Sequence, residues 1–148
     1  MKMLLEGYAS LFGVVDRERD VVRKGAFRET LAARPNAPLL LGHDPRLVAG
    51  VWRELFEDAL GLRARGEIDP DRAAGALALK WLARGTDGLS IGYRVRTSRT
   101  LEGGGRELVA LDLVEISLVS EPMAPAARLT RIGWSGAEAP TTELSHVA

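Results

Sequence analysis

The sequence contains no cysteine. That absence excludes a thiol nucleophile, a thiolate metal site and any disulfide, and it fits a reducing compartment. Histidine is scarce too: His43 and His146 are the only imidazoles, too few for a zinc site of ordinary composition, and no metal or cofactor is expected. Net charge is missing, with 20 Lys and Arg balancing 20 Asp and Glu. Such a chain has no basic field to attract nucleic acid or an anionic membrane. Arg94, Arg96 and Arg99 stand singly on a strand and its turn and read as solvated positions, Arg94 excepted. No apolar run approaches a membrane span, and Met1-Lys2-Met3-Leu4-Leu5-Glu6 lacks a signal-peptide core, so a soluble, intracellular chain is expected.

What is present is a chain of 148 residues, 46% hydrophobic, enough for one domain with a sizeable core. Its organising stretch is Gly88-Leu89-Ser90-Ile91-Gly92-Tyr93-Arg94. Leu89, Ile91, Tyr93 and Val95 alternate with Ser90, Gly92, Arg94 and Arg96, the period of a half-buried strand, which turns Ser90 away from the apolar set. Leu4 to Phe12 reads as the first strand, followed by a charged, solvated turn at Asp16-Arg17-Glu18-Arg19-Asp20. Gly25-Ala26-Phe27 opens a short helix in which Phe27 and Leu31 share a buried face. Pro38 to Leu41 is an apolar strand running into Gly42-His43-Asp44-Pro45. Val48 to Phe56 and Leu60 to Ile68 form an antiparallel hairpin. Asp69-Pro70-Asp71 starts a second helix that reaches about Arg84 and stops at Gly85.

A glycine turn at 103–105 separates the Ser90 strand from a long apolar strand, Glu107 to Ser120. The expected fold is α+β, a mainly antiparallel, barrel-like sheet of about seven strands with two or more helices outside. The folded domain spans 1–132, and the small and turn-forming residues of 133–148 suggest a flexible tail.

Glu115 lies inside Leu111-Asp112-Leu113-Val114-Glu115-Ile116-Ser117-Leu118-Val119, where both faces are largely apolar. A carboxylate buried there must be paired or hydrogen-bonded, either to an arginine such as Arg94 or to His43. A serine, a histidine and a buried carboxylate are the parts of an acyl-transfer site: imidazole takes the hydroxyl proton and the carboxylate orients the ring. Gly-x-Ser-x-Gly also suggests the nucleophile elbow of α/β-hydrolases, with Ser90, Glu115 and His146 in that order. The elbow requires a helix after the serine and a succession of βαβ units; this chain offers a strand and hairpins, and its His146 sits in the tail.

Five blocks together carry a resemblance. They are Glu6-Gly7-Tyr8-Ala9-Ser10-Leu11-Phe12 with Asp16; Gly25-Ala26-Phe27 with Leu31; Leu41-Gly42-His43-Asp44-Pro45; Gly88 to Tyr93; and Leu113 to Val119. From Glu6 to Leu129 the chain resembles the prohead maturation proteases of tailed bacteriophages and gene-transfer particles, similar in fold to the herpesvirus capsid-assembly protease. Where that family usually continues with a Pro-Ala-Asn type sequence, this chain reads Glu121-Pro122-Met123-Ala124-Pro125. The resemblance implies a serine endopeptidase with His43, Ser90 and Glu115 as its catalytic residues. It implies action in the bacterial cytoplasm, inside the assembling prohead, on the major capsid protein's scaffold region or a separate scaffold protein. Self-association into a dimer or higher oligomer is open. Arg94, on the Ser90 face, could hold an oxyanion donor or a water, or pair with a surface carboxylate. The alternative is a catalytically silent capsid-assembly or scaffold-binding module of the same fold.

Overall fold

A computed structural model of the chain describes residues 1–136 and 141–144. The elements in order are β1 (Met3–Leu11), β2 (Asp20–Val22), α1 (Arg28–Ala33), β3 (Ala37–Leu41), β4 (Asp44–Glu57), β5 (Gly61–Ile68), α2 (Ala73–Ala83), β6 (Gly88–Thr100), β7 (Arg106–Val119), β8 (Leu129–Trp134) and β9 (Thr141–Glu143). The α+β class, largely β with two helices, is as expected.

The sheet is mainly antiparallel, as expected, but departs from the barrel-like form. Among the described residues nine strands form one sheet in the order β2-β7-β3-β4-β5-β1-β8-β9, with β6 branching from β7. The path ends at β2 and β9 without returning on itself, and β7 runs parallel to both β2 and β3, so the sheet is open and mixed. The reason lies in β7. Over its 14 residues β6 follows one edge from end to end, while the short β2 and β3 each pair with part of the other.

The β4–β5 hairpin and the glycine turn at 103–105 fall where the sequence puts them. The second helix begins later than Asp69. Asp69 builds a turn instead: its carboxylate accepts the Asp71 N–H at 3.0 Å and its carbonyl accepts the Arg72 N–H at 3.2 Å, so helical geometry starts at Ala73. The charged turn is not wholly solvated either, since Asp20 is buried and held by two hydrogen bonds from Arg106 at 2.9 and 3.0 Å. At the C-terminal end a domain boundary at 132 would cut through β8, and β9 pairs antiparallel with β8. Residues 137–140 and 145–148 of the expected tail, His146 included, lie outside the described residues.

A core of leucine, isoleucine, valine and alanine side chains gathers round Trp52 and Phe27, both fully buried. The Trp52 indole N–H donates to the Ile116 carbonyl at 3.0 Å, which satisfies the one polar atom this large ring brings inside. Cutting Trp52 to alanine would cost about 3–5 kcal/mol. This core fixes β7, the strand on which the candidate site is built.

Candidate active site

His43 is placed by a turn. Leu41 pairs with Asp44, leaving Gly42 and His43 as a two-residue hairpin loop, with φ of +57° and +62°. Positive φ at both central positions is the type I′ arrangement, whose twist matches that of the flanking strands. Glycine adopts it freely, whereas a histidine is rarely found there. Two hydrogen bonds to β7 hold the loop: the Gly42 N–H donates to the Leu118 carbonyl at 3.0 Å, and the His43 N–H to the Ser117 hydroxyl at 2.9 Å.

Glu115 is placed by a register slip. Gly92 pairs with Glu115 but Tyr93 pairs with Leu113, so Val114 is an extra residue on β7. Leu111 and Leu113 before the slip, and Ile116 and Leu118 after it, all enter the core although they differ in parity. The bulge thereby turns Glu115 and Ser117 off the core line, the kind of re-aiming that bulges perform beside functional sites. Across β6, Ser90 pairs with Ser117 and Gly92 with Glu115. Gly92 is open for a reason: a Cβ there would lie 2.2 Å from Glu115 Oε1.

Glu115 is 5% exposed, and both of its carboxylate oxygens are engaged. Oε1 meets His43 Nδ1, and Oε2 accepts the Ser117 hydroxyl at 2.7 Å. The partner is therefore His43 and not Arg94, which is exposed and does not line the adjoining cavity. The hydrogen bond to Glu115 raises the His43 pKa above its ordinary value against the opposing effect of partial burial, and the carboxylate charge adds to the rise. With Nδ1 held by Glu115, Nε2 is the nitrogen left for proton transfer.

His43 and Ser90 line one cavity of about 440 Å³. Among the described residues no hydrogen bond joins the Ser90 hydroxyl to the His43 ring. Ser90 is 8% exposed, buried in the sheet with this cavity beside it. The same cavity is lined by Asp16, Glu18, Asp20, Tyr93 and Arg106, none of which was read from the sequence as a site residue. Burial pushes the Tyr93 hydroxyl up to about 12, helped by the charges of Asp20, Asp16 and Glu18 and opposed by Arg106. The charged composition of 16–20 was the available signal, and only the fold shows which way it faces. Among the described residues no cluster of side chains is suited to a metal ion, and no helix is long and apolar enough to cross a membrane.

Residues 1–140 match the family model of the caudovirus prohead serine proteases. The chain belongs to that family. A prohead protease of Enterobacteria phage HK97 is 34% identical over 95 residues, covering 62% of this chain and 42% of the relative, so the chain spans less than half of that protein's length. Two solved structures share the fold of this prohead protease family member at 15% identity. The bacteriophage T4 capsid assembly protease gp21 superposes with a TM-score of 0.63 over 78% of this chain and 80% of its own. The KSHV protease, solved with a hexapeptide phosphonate inhibitor, gives 0.62 over 91% and 66%. The resemblance carried by the five sequence blocks is thus upheld at the level of family and fold.

Proposed function

We propose that the chain is a serine endopeptidase of phage-type capsid maturation, acting inside the assembling prohead of a bacterial host. Its substrate is the scaffold region of the major capsid protein or a separate scaffold protein. The supporting observation is the buried Glu115 carboxylate bonded to His43 Nδ1 beside the cavity that Ser90 lines. In this reading the Ser90 hydroxyl attacks the peptide carbonyl as His43 Nε2 takes its proton. His43 then returns the proton to the leaving amine, and water, activated by the same imidazole, hydrolyses the acyl-enzyme. Glu115 keeps the ring in the Nδ1-protonated tautomer and stabilises the imidazolium. Co-expression with the major capsid protein precursor tests the reading. Processing by the wild type and none by His43→Ala is expected, whereas equal processing by both, or by neither, would leave the silent assembly module as the better description.

A further inference from the structure

Ser117 is fully buried, and its hydroxyl is used twice. It donates to Glu115 Oε2 at 2.7 Å and accepts the His43 backbone N–H at 2.9 Å. These bonds join the two things that set the direction of the His43 ring. One is the backbone of a histidine in the left-handed region, where a side chain is seldom held without outside support. The other is the rotation of the Glu115 carboxylate, since fixing Oε2 aims Oε1 at Nδ1. A carboxylate on β7 and the backbone of a histidine in the β3–β4 loop thus share a single hydroxyl, carried by a residue whose own backbone is paired with Ser90 on β6 and Leu40 on β3.

We propose that Ser117 is a positioning residue of this site, its hydroxyl fastening the Glu115 carboxylate to the His43 backbone so that the imidazole is held in one tautomer and one orientation. The inference rests on the reading of His43 as base and Glu115 as its orienting partner. Ser117 takes no part in proton transfer to substrate and touches none of the reacting atoms. Without its hydroxyl, the His43 N–H loses its partner, the buried Glu115 carboxylate loses the bond to Oε2, and the carboxylate is free to rotate.

The test compares the full chain with its Ser117→Ala, Ser117→Cys and Glu115→Gln variants. Two readouts are taken: steady-state cleavage of purified major capsid protein precursor, and the ¹⁵N signals of the histidine rings, assigned with a His146→Gln variant. For Ser117→Ala we expect kcat to fall about 100-fold, the order of loss that follows a small misplacement of a reacting group, with KM nearly unchanged. The His43 signals should move from the Nδ1-protonated form to a mixture of tautomers. Ser117→Cys is close to isosteric but a weak hydrogen-bonding group, so it should show the same losses in milder form, and it carries the measurement if the alanine variant does not fold. Wild-type kcat and a single His43 tautomer in a folded Ser117 variant, alongside an impaired Glu115→Gln, would overturn the role of Ser117 alone. Full activity in Glu115→Gln would overturn it together with the reading on which it rests.

Discussion

At the scale of single residues, the proposed site depends on a hydroxyl, an imidazole and a carboxylate that contribute little to the core. Ser90→Ala removes one small polar group from a strand face, so the protein should stay folded, with a stability change of about 0.5 kcal/mol or less. Cleavage of the capsid precursor should drop by several orders of magnitude. Activity retained by the purified variant would end the serine-peptidase reading. For Glu115→Gln the expected loss is on the order of 10³- to 10⁴-fold in kcat, because an amide cannot stabilise an imidazolium and favours the wrong tautomer. The pH profile separates this from a loss of folding. In the proposed mechanism His43 is a base only when neutral, and its pKa is raised, so the wild-type rate should climb with pH through a midpoint above the ordinary histidine value of about 6.5. In Glu115→Gln that midpoint should fall back toward the ordinary histidine value. The same shift has a stability consequence. A raised folded-state pKa means the charged pair stabilises the fold fully below the unfolded histidine value, and that this part is lost as pH rises through the folded value. Thermal melts across that window check the sign. Residue type and the five blocks singled out His43, Ser90 and Glu115 as candidates, and the fold brings His43 and Glu115 into contact. Ser117 was passed over because a serine in an apolar strand carries no signal until its neighbours in the sheet are known.

At the scale of elements, the arrangement turns on how β6, β7 and the β3–β4 loop meet. Gly92 leaves room for the Glu115 carboxylate, and Gly92→Ala would put a Cβ within 2.2 Å of Oε1 and 2.8 Å of Cδ. A flexible side chain can turn aside, so the expected cost to stability is modest, within about 1–3 kcal/mol. Turning aside breaks the bond to His43, so activity should fall nearly as far as in Glu115→Gln. A Gly92→Ala protein with wild-type kcat would mean that the carboxylate does not need its present position. The strands themselves were legible in the sequence wherever alternation was unbroken, as in Leu89 to Gly92 and in the β4–β5 hairpin. The bulge at Val114 was not, because simple period-two counting puts Leu111, Leu113 and Glu115 on one face, whereas the slipped register separates the first two from the third. Nor was the left-handed turn at Gly42-His43, since a histidine at positive φ is sustained by bonds to β7 and not by local preference.

At the scale of the whole molecule, the mainly antiparallel expectation held for most strand pairs, while the parallel contacts of β7 with β2 and β3 and the missing closure departed from it: short strands joined by hairpins suggest a barrel-like sheet, and only long-range pairing reveals an open, mixed one. The C-terminal segment shows the same limit. Its small and polar residues gave no sign that Thr141–Glu143 would pair with β8, or that Leu144 would pack against the core and donate its N–H to the Thr130 carbonyl at 2.9 Å. Deleting 136–148 should therefore cost some stability. Burial of one leucine is worth about 1.5–3 kcal/mol when complete, and Leu144 is only partly buried, so a loss of about 1 kcal/mol is expected. In a chain of this size that lowers Tm by a few degrees, which calorimetry would register. Catalysis should survive, because His43, Ser90, Glu115 and Ser117 lie between β3 and β7, while the deleted β9 pairs with Arg131, Ile132 and Gly133 of β8. The truncated protein is thus expected to cleave purified capsid precursor in solution at the wild-type rate with a lower melting temperature. If it folds and does not cleave, the C-terminal segment supplies part of the active site, and His146 becomes the first residue there to substitute.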